Sequence, residues 1–125
     1  MPELNLAPQW LCESSALQEC EGSVVFEVME HGRVVPAFAV RFNKEAVAYL
    51  NRCAHVPAEM DWQPGQFWDS DKRFIVCSMH GALYEPVDGL CVSGPCPGKR
   101  LMRIELTEAQ GQIHWQPTDR FQPVF

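Results

Sequence analysis

The sequence predicts a small all-β protein, an antiparallel sandwich or barrel, on three observations. Short runs rich in β-branched and aromatic residues recur at close intervals. Large apolar residues fall at alternate positions within 34–42, and within 102–106 apolar residues alternate with charged ones, as in a strand with one buried face. The 10 prolines and 8 glycines supply turns between them.

Residues 24–28 are the first candidate strand, and Glu30-His31-Gly32 reads as the turn after it. Val34, Phe38, Val40 and Phe42 then occupy alternate positions of the next strand. Phe42-Asn43-Lys44-Glu45 turns the chain into 46–50. Residues 44–50 include good helix formers, but so short a segment does not stand as a helix without packing support, and a strand is expected. Phe74-Ile75-Val76 runs into Cys77 and 82–85 leaves on the other side, two short strand segments, and Asp88-Gly89-Leu90-Cys91 reads as a hairpin. Met102, Ile104 and Leu106 alternate with Arg103 and Glu105, and Gly111 precedes Ile113 and Trp115, which makes a final hairpin. Residues 8–20 fit either an irregular arm or a short helix. The tail 116–125 is expected to lie along the surface.

A chain of 125 residues can bury roughly two thirds of its extended surface, enough for one core. One domain is expected, with a core at about 22–116 and terminal arms at 1–21 and 117–125. No apolar run approaches the ~18–20 residues of a membrane span. Met1-Pro2-Glu3-Leu4-Asn5 lacks the basic stretch and apolar core of a secretory signal, so a cytoplasmic location is expected. There the six cysteines stay reduced, and Cys12 and Cys20 read as small packing residues. The net charge of −6 argues against nucleic acid as a partner.

Cys53-Ala54-His55 and Cys77-Ser78-Met79-His80-Gly81 carry the chemistry. Each offers one thiolate and one imidazole, an interleaved order that suits a [2Fe–2S] cluster with two Cys on one iron and two His on the other. The competing reading is a tetrahedral zinc site. Zinc ligands usually arrive as like pairs with two or more residues between them, and here both pairs are mixed. Gly94-Pro95-Cys96-Pro97-Gly98 would form a stiff loop able to close over a cluster from the side.

In these three motifs the chain resembles the Rieske [2Fe–2S] family, over about residues 22–116. The resemblance implies that Cys53 and Cys77 hold an inner iron and His55 and His80 an outer, solvent-facing one, with Pro95 in the covering loop. It implies a cluster-binding subdomain built of the two ligand loops. The span 56–76, with Trp62, Pro64, Gly65, Phe67 and Trp68, is longer than the family's usual connection. In respiratory bc-type relatives a Ser and a Tyr stand two and four residues after the second ligand His; here those places hold Ala82 and Tyr84. The places of their loop-tying disulfide hold Ala58 and Met79. Both departures imply a low-potential, ferredoxin-like centre. Tyr84 is either a hydrogen-bond donor to a cluster sulfur or a buried structural phenol. Cys91 and Cys96 are read as packing residues, with a local disulfide or a thiol beside the cluster as the alternative.

Two His ligands raise the potential relative to four Cys, and reduction should draw protons toward His55 and His80, so the potential should fall with rising pH. The only other histidines, His31 in a turn and His114 on the outer face of the last hairpin, cannot complete a second iron site. No Gly-rich nucleotide loop or nucleophile constellation is present, so the chain is expected to be no enzyme by itself. It must take single electrons from a reductase and pass them to an oxygenase or similar acceptor. Val56, Pro57, Met79 and Leu83 would rim the docking tip, and the acidic balance, with a pI near 5.1, suits basic docking surfaces. Two alternatives remain. One is a Rieske-type subunit docked within a larger reductase, as the small subunit of assimilatory nitrite reductase resembles. The other is a zinc-stabilised interaction module.

Overall fold

The computed structural model describes residues 6–52, 60–61, 65–77, 81–94 and 98–124. The described residues bear out the all-β expectation. Their only helical element is the 3-10 turn Ser14–Ala16. No helix among them is long and apolar enough to cross a membrane.

Three antiparallel sheets lie in layers. The middle one has the order β11-β2-β3-β4-β8, from Phe121–Gln122, Val24–Glu30, Arg33–Phe42, Glu45–Leu50 and Arg103–Ile104. Its hairpins turn in two residues, His31-Gly32 and Asn43-Lys44, all four at positive φ. That backbone matches the right-handed twist of the flanking strands.

Alternation along β3 and β4 then builds two cores from one sheet. Phe38, Val40, Val47 and Tyr49 point to one side, and Ala37, Ala39, Ala48 and Leu50 to the other, all essentially without solvent. The second sheet, β1 (Gln9–Glu13), β10 (Gln112–Trp115) and β9 (Leu106–Ala109), covers the alanine side with Cys12, Ile113 and Trp115. The third, β5 (Ile75–Val76), β6 (Leu83–Tyr84) and β7 (Cys91–Ser93), covers the aromatic side together with Met60 and Phe67. Small residues allow close approach of the first pair of layers, and large ones fill the second.

Three elements differ from the sequence expectation. Residues 8–20 are neither arm nor helix over their first part: Gln9–Glu13 is a strand in register with β10, and Leu17 is buried. The tail is not confined to the surface, because Phe121 pairs with Glu30 and sinks into the alanine-side core. The last hairpin is divided. Arg103–Ile104 joins β4, whereas Leu106–Ala109 joins β10, so one alternating run serves two sheets. His114 is consequently half-buried, opposite Trp10, rather than on an open face.

Candidate metal centre

Cys77 sits where β5 ends, 0 % exposed, in the aromatic-side core with Ile75, Ala82, Tyr84 and Cys91. Its backbone closes the second loop. The Cys77 amide donates to the Ala82 carbonyl at 2.9 Å, and the Gly81 amide donates to the Cys77 carbonyl at 2.8 Å. Gly81 has φ +71°.

The proline segment starts against this loop. Gly94 has φ +104°, and a Cβ there would lie 2.8 Å from the Ala82 Cα. Only glycine permits that approach. Cys91, in the same core cluster, is buried and its thiol donates to the Ser93 carbonyl at 3.4 Å. Tyr84 is fully buried in the same cluster as Cys77. Cys53, His55, His80 and Pro95 lie outside the described residues, as do Val56, Pro57, Ala58, Trp62, Pro64, Met79 and Cys96. Of the expected rim, Leu83 is described, and it is half-buried. Of the lengthened span, Phe67 has become core, stacked on Phe38 at 3.8 Å between ring centroids, and Trp68 packs against that core.

The ends of the first loop are fixed by side chains that sequence reasoning passed over. Asn51, 5 % exposed, follows β4; its own amide donates to the Pro36 carbonyl at 2.9 Å. Its Oδ1 accepts the Met60 amide at 2.7 Å, and its Nδ2 donates to Asp61 Oδ1 at 2.6 Å. Asp61 Oδ2 in turn accepts the Gly65 amide at 2.9 Å, and Ser23 Oγ donates to the Gly65 carbonyl at 2.8 Å. The available signal was an Asn at a strand end and an Asp four residues before a Gly, both local turn formers.

Next to that clasp, Arg52 donates two hydrogen bonds to Glu30, and Arg120 a third at 2.8 Å. Burial alone would raise the Glu30 carboxyl, but the two guanidinium groups outweigh it and hold it below the ordinary carboxylate range. Burial pushes Cys12 up, and burial together with the Glu19 carboxylate pushes Cys20 up.

The fold is shared with solved proteins. The ferredoxin of carbazole 1,9a-dioxygenase from Nocardioides aromaticivorans IC177 matches with TM-score 0.68 and 18 % identity, over 90 % of this chain and 99 % of that one. The Sphingomonas yanoikuyae B1 ferredoxin matches with TM-score 0.63 and 18 % identity, over 90 % and 100 %. The terminal oxygenase of the Nocardioides system matches with TM-score 0.68 and 20 % identity, over 98 % of this chain but 33 % of that one. No curated protein sequence matches the chain. The model of the Rieske [2Fe-2S] domain matches residues 7–117, from the start of β1 to the end of β10 and beyond. This chain belongs to the Rieske [2Fe-2S] domain family.

Proposed function

We propose that this protein is a cytoplasmic one-electron carrier of the ferredoxin type, a single domain that receives electrons from a reductase and delivers them to an oxygenase or similar acceptor. The observation that carries the reading is a wholly buried thiol, Cys77, at the mouth of a loop whose two ends are locked by backbone hydrogen bonds, within a chain of this family. The donor set fits the family's group: Cys53 and Cys77 supply soft thiolates to one iron, and His55 and His80 supply imidazoles to the other. When bound, the cluster supplies a one-electron couple.

The rest is the work of the protein. Burial of Cys77 keeps water from its sulfur. Tyr84, buried in the same cluster of side chains, is the proposed hydrogen-bond donor toward the sulfurs, and Pro95, which follows Gly94 in the sequence, is proposed to cover the cluster. Ala82, where bc-type relatives carry Ser, supplies no hydroxyl, in keeping with a lower potential. A solved complex of reduced oxygenase and oxidised ferredoxin in carbazole 1,9a-dioxygenase shares the fold at TM-score 0.67 and 21 % identity, which supports an oxygenase as acceptor.

Iron and acid-labile sulfide analysis, with electron paramagnetic resonance of the dithionite-reduced protein, tests this. Iron and sulfide in equal amounts, about two of each per chain, are expected, and Cys77→Ser should abolish the signal. Zinc without sulfide would overturn the reading.

A further inference from the structure

The connection 51–65 starts at the end of β4, and its Met60 belongs to the aromatic-side core. Its ends are tied by four hydrogen bonds in series: Met60 amide to Asn51, Asn51 to Asp61, Gly65 amide to Asp61, and Ser23 to the Gly65 carbonyl. Asn51 and the Met60 amide are buried, so each group left without a partner costs its full desolvation. An apolar pair would close the same distance with no fixed polarity. The Asn–Asp pair fixes one donor direction, and that specifies a single loop closure.

Resting on the carrier reading above, we propose that Asn51 and Asp61 are positioning residues for the first ligand loop. Their clasp sets where Cys53 and His55 stand relative to the Cys77 loop. Neither side chain needs to touch the cluster. They act through the backbone, Asn51 by holding the Met60 amide and Asp61 by holding the Gly65 amide.

The series dictates its own test. Asn51→Asp alone puts two carboxylates 2.6 Å apart, and Asp61→Asn alone turns an amide donor onto the Gly65 amide. The double variant Asn51→Asp/Asp61→Asn reverses the central donor and acceptor and keeps the bonds from Met60 and Gly65. In holoprotein, each single variant should speed cluster loss, followed by visible absorbance, by about tenfold or more. Each should also shift the g-values of the reduced centre, and the double variant should recover both. Single variants that match the wild type, or a double variant no better than the singles, would overturn the proposal. So would a drop in the unfolding midpoint with g-values unchanged, the mark of a merely structural role.

Hydrogen exchange reads the clasp without reference to iron. Protected Met60 and Gly65 amides in the wild type, deprotected in the single variants, are expected, and unprotected wild-type amides overturn the clasp even in iron-loaded protein. Wild-type protein lacking iron and sulfide overturns the carrier reading itself, and metal analysis reports that before any variant is made.

Discussion

The Tyr49 hydroxyl donates to the Pro86 carbonyl at 2.6 Å, with both groups buried. Tyr49 belongs to β4, two residues before Asn51, and Pro86 lies in the turn joining β6 to β7. This one bond therefore ties the strand that feeds the first loop to the hairpin behind the second. Gly89 lets the ring approach that turn closely, since a Cβ there would stand 2.9 Å from Tyr49 Cε1. Arg103 adds a bond from β8 to the Val87 carbonyl at 2.9 Å. The site layer is thus fastened to the middle sheet by polar ties as well as by packing.

Tyr49→Phe should cost about 1–3 kcal/mol, because the Pro86 carbonyl is left buried without its donor. Urea unfolding measures it. The pH dependence carries a sign. Burial raises the phenol above its ordinary value of 10.0, so above that pH the unfolded chain releases a proton that the folded chain keeps. Stability from this group is complete below pH 10 and falls as pH rises past it. The Phe variant should show a shallower alkaline loss than the wild type, and an equal slope would count against the assignment.

Gly94→Ala should be more damaging than Gly98→Ala. Both glycines have positive φ, but at Gly98 nothing stands within 4 Å of the added carbon, whereas at Gly94 it meets the Ala82 backbone at 2.8 Å. A cost of about 1 kcal/mol is expected at Gly98 and about 2–4 kcal/mol at Gly94. Thermal unfolding of the two variants side by side decides it, and equal midpoints would remove the close approach from the account.

The alternation in β3 and β10 was legible because it is a local pattern, period two at Val34, Phe38, Val40 and Phe42 and again at Ile113 and Trp115, and 46–50 was legible as a strand because it is too short to stand as a helix. Which face met which layer was not legible, since Phe38 and Ala39 are equally apolar and only the third dimension assigns them to different cores. The break at Glu105 was hidden for the same reason. An alternating run looks identical whether its two halves pair with one neighbour or two. Gln9–Glu13 escaped because half of it faces water as an edge strand and its sequence carries little β-branching. Asn51 and Asp61 escaped because a polar clasp joins residues whose relation is set by the loop between them.

Glu30→Gln should destabilise by about 1–2 kcal/mol near neutral pH, a figure discounted because the Arg52 and Arg120 heads are partly exposed. The Glu30 carboxyl is held below its ordinary value of 4.5, so the unfolded chain takes up a proton before the folded one. Its contribution is present above that pH and is lost as pH falls through the lowered value. Glu19 and Glu108 are lowered as well, by the Lys44 amide and Arg41 respectively, so the wild type and the variant must be compared across the acid range. The gap between their unfolding midpoints should narrow toward acid pH, and a constant gap would show that Glu30 acts through packing alone.

The two cores should respond separately to truncation. Phe67 stacks on Phe38 at an interplanar angle of 8° in the layer that holds Cys77, whereas Ile113 fills the alanine side. Phe67→Ala and Ile113→Ala should each cost roughly 2–5 kcal/mol globally, because both leave cavities in close-packed interiors. Their local effects should differ. The Cys77 and Gly81 amides close the second loop through the Ala82 and Cys77 carbonyls, and the strand pairing behind them leans on Phe67 through Ile75. Hydrogen exchange at those two amides should therefore accelerate well below the global unfolding limit in Phe67→Ala and stay tied to global unfolding in Ile113→Ala. Equal acceleration in both variants would mean that the layers open as one unit and that the site is no more labile than the frame beneath it.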